Sequence, residues 1–126
     1  MLINNKESMI IKREVVVSLA CEKQADFYIN KPVFEVFGYL SKLPEIASFK
    51  TDFVDPKSFK IHLSRGVSFN SWGEDIVLSF FDPMNGGTMM RVESKPKFPL
   101  TLVDYGVNKK NVESIGQWIT SMYRGC

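Results

Sequence analysis

Two alternating segments on either side of Asp82-Pro83-Met84-Asn85-Gly86-Gly87 constrain this chain more than any other feature. Trp72–Phe81 and Thr88–Lys95 place apolar side chains at every second position, the period of a half-buried strand. The Pro, Asn and Gly residues between them are turn chemistry, so the pair reads as an antiparallel hairpin. With Asp82 facing Thr88, Ile76, Leu78 and Phe80 lie opposite Ser94, Val92 and Met90 on one face. The other face then pairs Asp75 with Lys95 and Ser79 with Arg91. A slip of one residue would mix the faces, so the pattern selects its own register. Continuing to a further strand, Leu100–Tyr105, with Ser94 opposite Thr101 pairs Val92 with Val103, Met90 with Tyr105 and Arg91 with Asp104.

The remaining elements follow from the same reading. Glu14–Ile29 is β-branched and then alternating, which predicts one long bulged strand or two short strands broken near Glu22-Lys23-Gln24. The period then changes. Val33, Val36, Phe37 and Leu40 fall at helical spacing, and Pro32 suits the first turn, where its missing N–H costs nothing. Pro44 ends or restarts this helix, which predicts a second short helical turn near Glu45–Phe49. Strands are expected at Thr51–Val54 and Ser58–Ser64. In the tail, Val112, Ile115, Ile119 and Met122 share a helical face, Asn108 or Asn111 is the expected N-cap, and Gly125 the stop. The fold class is therefore α+β, a helix-grip: a curved antiparallel sheet wrapped around a long C-terminal helix, with two short helices after the first strand.

Composition narrows the function classes. With 126 residues, 44% hydrophobic and 24% charged, the chain has the make-up of one folded domain, residues 1–126, in which 1–11 form a loose N-terminal arm. Sixteen basic against fourteen acidic residues, with no basic stripe, argue against a nucleic-acid partner. No stretch has the length and apolarity of a membrane span, and the N-terminal sequence lacks a signal peptide's apolar core. Cys21 and Cys126 lack metal-ligand spacing and read as reduced thiols. The expectation is a cytoplasmic protein, monomeric or weakly homodimeric, without metal or cofactor.

The strand-to-helix junction INKPVFEVFGYL, the meander and the closing helix together resemble the START-like, or SRPBCC, superfamily of helix-grip proteins across residues 12–124. Within it, SWGEDIVLSF followed by MRVESKPKFPLTLVDYGVNKKNVESI is similar to a bacterial subgroup without an assigned function. The resemblance implies a cavity between sheet and last helix that takes a small hydrophobic or lipid-like molecule. Its enzymatic relatives imply an alternative, a polyketide cyclase or dehydratase using an inward acid such as Glu74. A further alternative is a protein-interaction module using the outer face of the sheet or the N-terminal arm.

Individual residues sort by parity. His62, the single histidine, alternates with Ile61 and Leu63 and faces outward, away from any triad or metal set. Arg91 and Asp104 read as an outer cross-strand ion pair, and Gly86-Gly87 as a hairpin turn rather than a phosphate cradle. Lys109 and Lys110 stand near a helix start, where capping is the simpler role. Met84, Met89 and Met90 cluster at the hairpin as core or as pliable pocket wall. Trp72 and Glu74 share the inward parity of Ile76, Leu78 and Phe80, and an inward carboxylate needs a partner, water or a proton. The candidate ligand-binding residues are therefore Trp72, Glu74, Phe80, Met90, Tyr105, Ile115 and Ile119, with no catalytic residue assigned. Glu74, Trp72 and Tyr105 would supply the polar orientation of an otherwise apolar pocket.

Overall fold

The computed structural model describes residues 13–16, 23–66, 73–97 and 106–123. Within them the strands are β1 (Arg13–Val16), β2 (Lys23–Ile29), β3 (Glu45–Ile46), β4 (Phe49–Asp55), β5 (Lys60–Arg65), β6 (Glu74–Phe81) and β7 (Thr88–Pro96). Helix α1 (Val33–Leu40) follows β2, and α2 (Val107–Met122) follows β7. The strands form one antiparallel sheet in the order β1-β2-β7-β6-β5-β4-β3. Of the two alternatives for this segment the structure has two strands, β1 and β2, which pair with each other; Lys23 and Gln24, where the break was expected, already belong to β2.

The β6–β7 register is the one the alternation selects: Ile76 faces Ser94, Leu78 faces Val92 and Phe80 faces Met90. Asp75 with Lys95 and Ser79 with Arg91 form the opposite face. The next neighbour of β7 differs from the expectation. β2 occupies that edge, so Val92 faces Ala25, Met90 faces Phe27 and Arg91 faces Asp26 in place of Val103, Tyr105 and Asp104. Alternation fixes which face a residue occupies but not which distant strand lies beside it. The expected strand Leu100–Tyr105 itself, together with Trp72, Cys21, Cys126, Gly125 and residues 1–11, lies outside the described residues.

Two local expectations are also corrected. The second short helix is a β-hairpin, in which Glu45–Ile46 pairs with Phe49–Lys50 through Ala47 and Ser48, both at positive φ (53° and 72°). Such angles are unfavourable for residues with a Cβ. The hairpin compensates by seating Ile46 and Phe49 as a buried cross-strand pair. Neither Asn108 nor Asn111 caps α2; Gly106, at φ 77°, holds the N-cap position, and both Asn side chains are buried. Pro32 stands one residue earlier than expected, at the N-cap of α1, where its carbonyl accepts from Glu35 and Val36.

One face of the sheet carries Phe27, Ile29, Ile61, Leu63, Ile76, Leu78, Phe80, Met90 and Val92, all buried. Helix α2 covers it with Val112, Ile115 and Ile119, and α1 closes one end with Val33, Val36, Phe37 and Leu40. Phe37 stacks on Phe59 and meets Phe80 edge-on, with centroids 5.0 and 5.5 Å apart. Where α2 crosses β2, Gly116 lies against the Phe27 ring so closely that an added Cβ would fall within it. The helix therefore seats on the sheet through a missing side chain. Gly116→Ala is expected to destabilise by about 1–2 kcal/mol, since overpacking outweighs the gain in helix propensity. Urea unfolding should show the loss, partly recovered when Phe27→Leu is added. An unchanged midpoint would contradict this seating.

Candidate functional site

Apolar alternation in β5 and β6 ends in charge. Arg65 continues the inward parity of Ile61 and Leu63, Glu74 begins that of Ile76 and Leu78, and the two are cross-strand partners. Between them the chain enters β6 through Gly73, at φ 111°, where a Cβ would stand 2.9 Å from the Arg65 carbonyl oxygen. A glycine is what lets the two strand ends approach this closely. From the next strand Ser94 points the same way as Val92, and it too is buried. From above, the first turns of α2 bring down Asn108 and Asn111, three residues apart and so on one helical face.

These side chains form one network. Arg65 Nε donates to Glu74 Oε1 at 3.3 Å, and its Nη2 donates to Asn111 Oδ1 at 2.7 Å. Asn111 Nδ2 donates to Glu74 Oε1 at 3.1 Å and to Ser94 Oγ at 3.3 Å. Ser94 Oγ donates to Asn108 Oδ1 at 2.6 Å. The Arg65 guanidinium also lies over the Phe49 ring, 4.6 Å from its centroid, a cation–π contact. Glu74 is 1% exposed while the Arg65 side chain is 40% exposed, so Arg65 is the partner that reaches toward solvent. Glu74 Oε1 thus receives two donors. Oε2 is buried and has no hydrogen-bond partner among the described residues.

The sequence-predicted set divides. Glu74 faces inward as its parity requires and accepts from Arg65 and Asn111, with Ser94 joined through Asn111. Phe80 and Met90 are cross-strand partners, and with Ile115 and Ile119 they belong to the packed core. Phe80 lies six residues along β6 from Glu74, about 20 Å at strand rise. Trp72 and Tyr105 lie outside the described residues, and the pairing that placed Tyr105 beside Met90 is replaced by Phe27. Of the hairpin methionines, Met90 is buried and Met84 is 86% exposed. A depression of about 460 Å³ lined by Lys31, Glu35, Tyr39, Met122 and Tyr123 opens at the other end of α2, remote from Glu74.

Sequence reasoning missed Arg65, Ser94, Asn108 and Asn111. The signal for Arg65 and Ser94 was their parity with Leu63 and Val92; that for the two Asn was their spacing with Val112 and Ile115. The outer face reads as expected in kind. His62 is half-buried beside Phe53, with ring centroids 5.5 Å apart. Arg91 makes an ion pair with Asp26, Nε to Oδ1 at 2.8 Å and Nη2 to Oδ2 at 3.2 Å. The hydrogen bonds to Asp26 push the Arg91 guanidinium above its already high ordinary value. No cluster of three or more His, Cys, Asp or Glu among the described residues could hold a metal ion, and no described helix is long and apolar enough to cross a membrane.

Comparison with solved structures fits this architecture. CalU16 from Micromonospora echinospora superposes with a TM-score of 0.53 at 16% identity, covering 82% of this chain and 74% of that one. Ara h 8.0201 gives a TM-score of 0.53 at 14% identity, covering 82% of this chain and 95% of that one. The chain has the START-like helix-grip fold. No protein-family model and no curated protein sequence matches it. Among the described residues, the last helix is seated on the sheet by Phe27 under Gly116 and by the Glu74 network.

The two Arg–carboxylate pairs should differ in weight. Arg65→Ala strips a donor from a buried carboxylate and is expected to cost about 1–3 kcal/mol. Arg91→Ala removes an outer-face pair and is expected to cost under about 1 kcal/mol. Urea unfolding of both variants checks the contrast, and equal losses would contradict it.

Proposed function

We propose that this helix-grip domain binds a small hydrophobic, lipid-like molecule between the sheet and the C-terminal helix, with Glu74 as the polar group that orients it. The observation that carries the reading is the Glu74 carboxylate, buried at the end of an apolar face with one oxygen that has no hydrogen-bond partner among the described residues. Burying an acceptor without a donor costs on the order of 1–3 kcal/mol, a deficit that a ligand's polar group would remove. Ligand sites commonly pair apolar walls with a few such placed groups. Ile76 and Leu63 on the sheet and Val112 and Ile115 on α2 are the apolar neighbours in sequence of the network residues. A compact molecule anchored at Glu74 would rest its body there. An elongated one would run on toward Met90, Phe80 and Ile119, parting the contact between Phe27 and Gly116.

Purified protein analysed by native mass spectrometry, followed by solvent extraction of what it carries, tests the reading. The expected result is a hydrophobic molecule retained at one per chain. Glu74→Gln keeps the shape and removes the charge, and should weaken retention about tenfold with little loss of stability. Unchanged affinity would reduce Glu74 to a structural residue and overturn its orienting role.

A further inference from the structure

Resting on that reading, we infer that the ligand's polar end is an uncharged hydrogen-bond donor, a hydroxyl, and that the site discriminates against carboxylate and ammonium head groups. The atom without a hydrogen-bond partner among the described residues is a carboxylate oxygen, Glu74 Oε2, which can only accept. A donor must therefore arrive. A fatty-acid carboxylate would present acceptor to acceptor and set two like charges side by side in a low-dielectric interior.

Charge balance excludes the opposite case. Glu74 is already matched by Arg65, whose Nε lies 3.3 Å from Oε1, so the pair, buried on its carboxylate side, is neutral as a unit. An ammonium group would leave a net positive charge beside Leu63 and Ile76, both essentially fully buried. The guanidinium is already engaged by Glu74 through Nε, by Asn111 at 2.7 Å through Nη2 and by the Phe49 ring, so an anion there would compete with Glu74 for it. A neutral hydroxyl satisfies Oε2, adds no charge and leaves the network in place. Phenols and alcohols on an apolar body share this chemistry.

Three probes with one chain and different heads test this: 1-decanol, decanoate and decylamine, titrated calorimetrically into the full chain at pH 7. Decanol should bind at least about tenfold more tightly than either charged probe. Glu74→Gln, checked for native circular dichroism, offers an amide in place of the carboxylate and should bring decanol and decanoate to within about threefold. Decanoate or decylamine binding as tightly as decanol to the unaltered protein would overturn the inference while leaving the hydrophobic-ligand reading intact. So would an unchanged ratio in Glu74→Gln. Failure of all three probes to bind would overturn both. The comparison among heads needs no variant, so misfolding of Glu74→Gln does not remove the test.

Discussion

A carboxylate withdrawn from water must be met by donors, and in this chain the meeting draws four elements together. Glu74 at the start of β6 is reached by Arg65 from β5 and by Asn111 from α2, and Asn111 reaches on to Ser94 of β7. The network spans the seam between helix and sheet, so it sets where the first turns of α2 lie. It also sets what polar chemistry this end of the interior offers. Truncating one member removes a hydrogen-bond partner from a buried neighbour, which is why such groups act as a unit. The asymmetry between the two Glu74 oxygens is the part of this arrangement on which the proposed ligand role rests.

Further along α2 the helix is seated by shape. Phe27 occupies the space that a side chain at position 116 would need, and Ile115 and Ile119 flank that contact from within the core. Interiors packed in this way have few voids and resist small displacements. The two attachments thus have different chemistry, polar at the N-terminal end of α2 and steric near its middle. In the proposed role, a ligand anchored at the polar end would meet directional groups before close packing.

Much of this was legible in the sequence where the information is local. The β6–β7 register followed from the parity of Ile76, Leu78, Phe80, Val92 and Met90, and the helical stripe of Val33, Val36, Phe37 and Leu40 follows from spacing. What was not legible depends on distance along the chain. Arg91 was equally served by Asp26 or Asp104, and its actual partner is 65 residues away. Asn108 and Asn111 have the chemistry of helix caps, and tertiary hydrogen bonds to Ser94 and Glu74 override that local preference. Ala47 and Ser48 hide a tight turn, since neither residue type advertises a positive φ. For the site, the inward carboxylate was visible from parity, whereas Arg65 required following the parity of β5 to its last residue.

The claim that Glu74 anchors a ligand is tested most directly by a crystal structure of the protein purified without delipidation, at a resolution that shows ordered water. The account predicts organic density with a polar atom within hydrogen-bond distance of Glu74 Oε2 and an apolar body against Ile76 and Ile115. An Oε2 bonded only to water or to a protein donor, in an interior filled by the chain's own side chains, would contradict it.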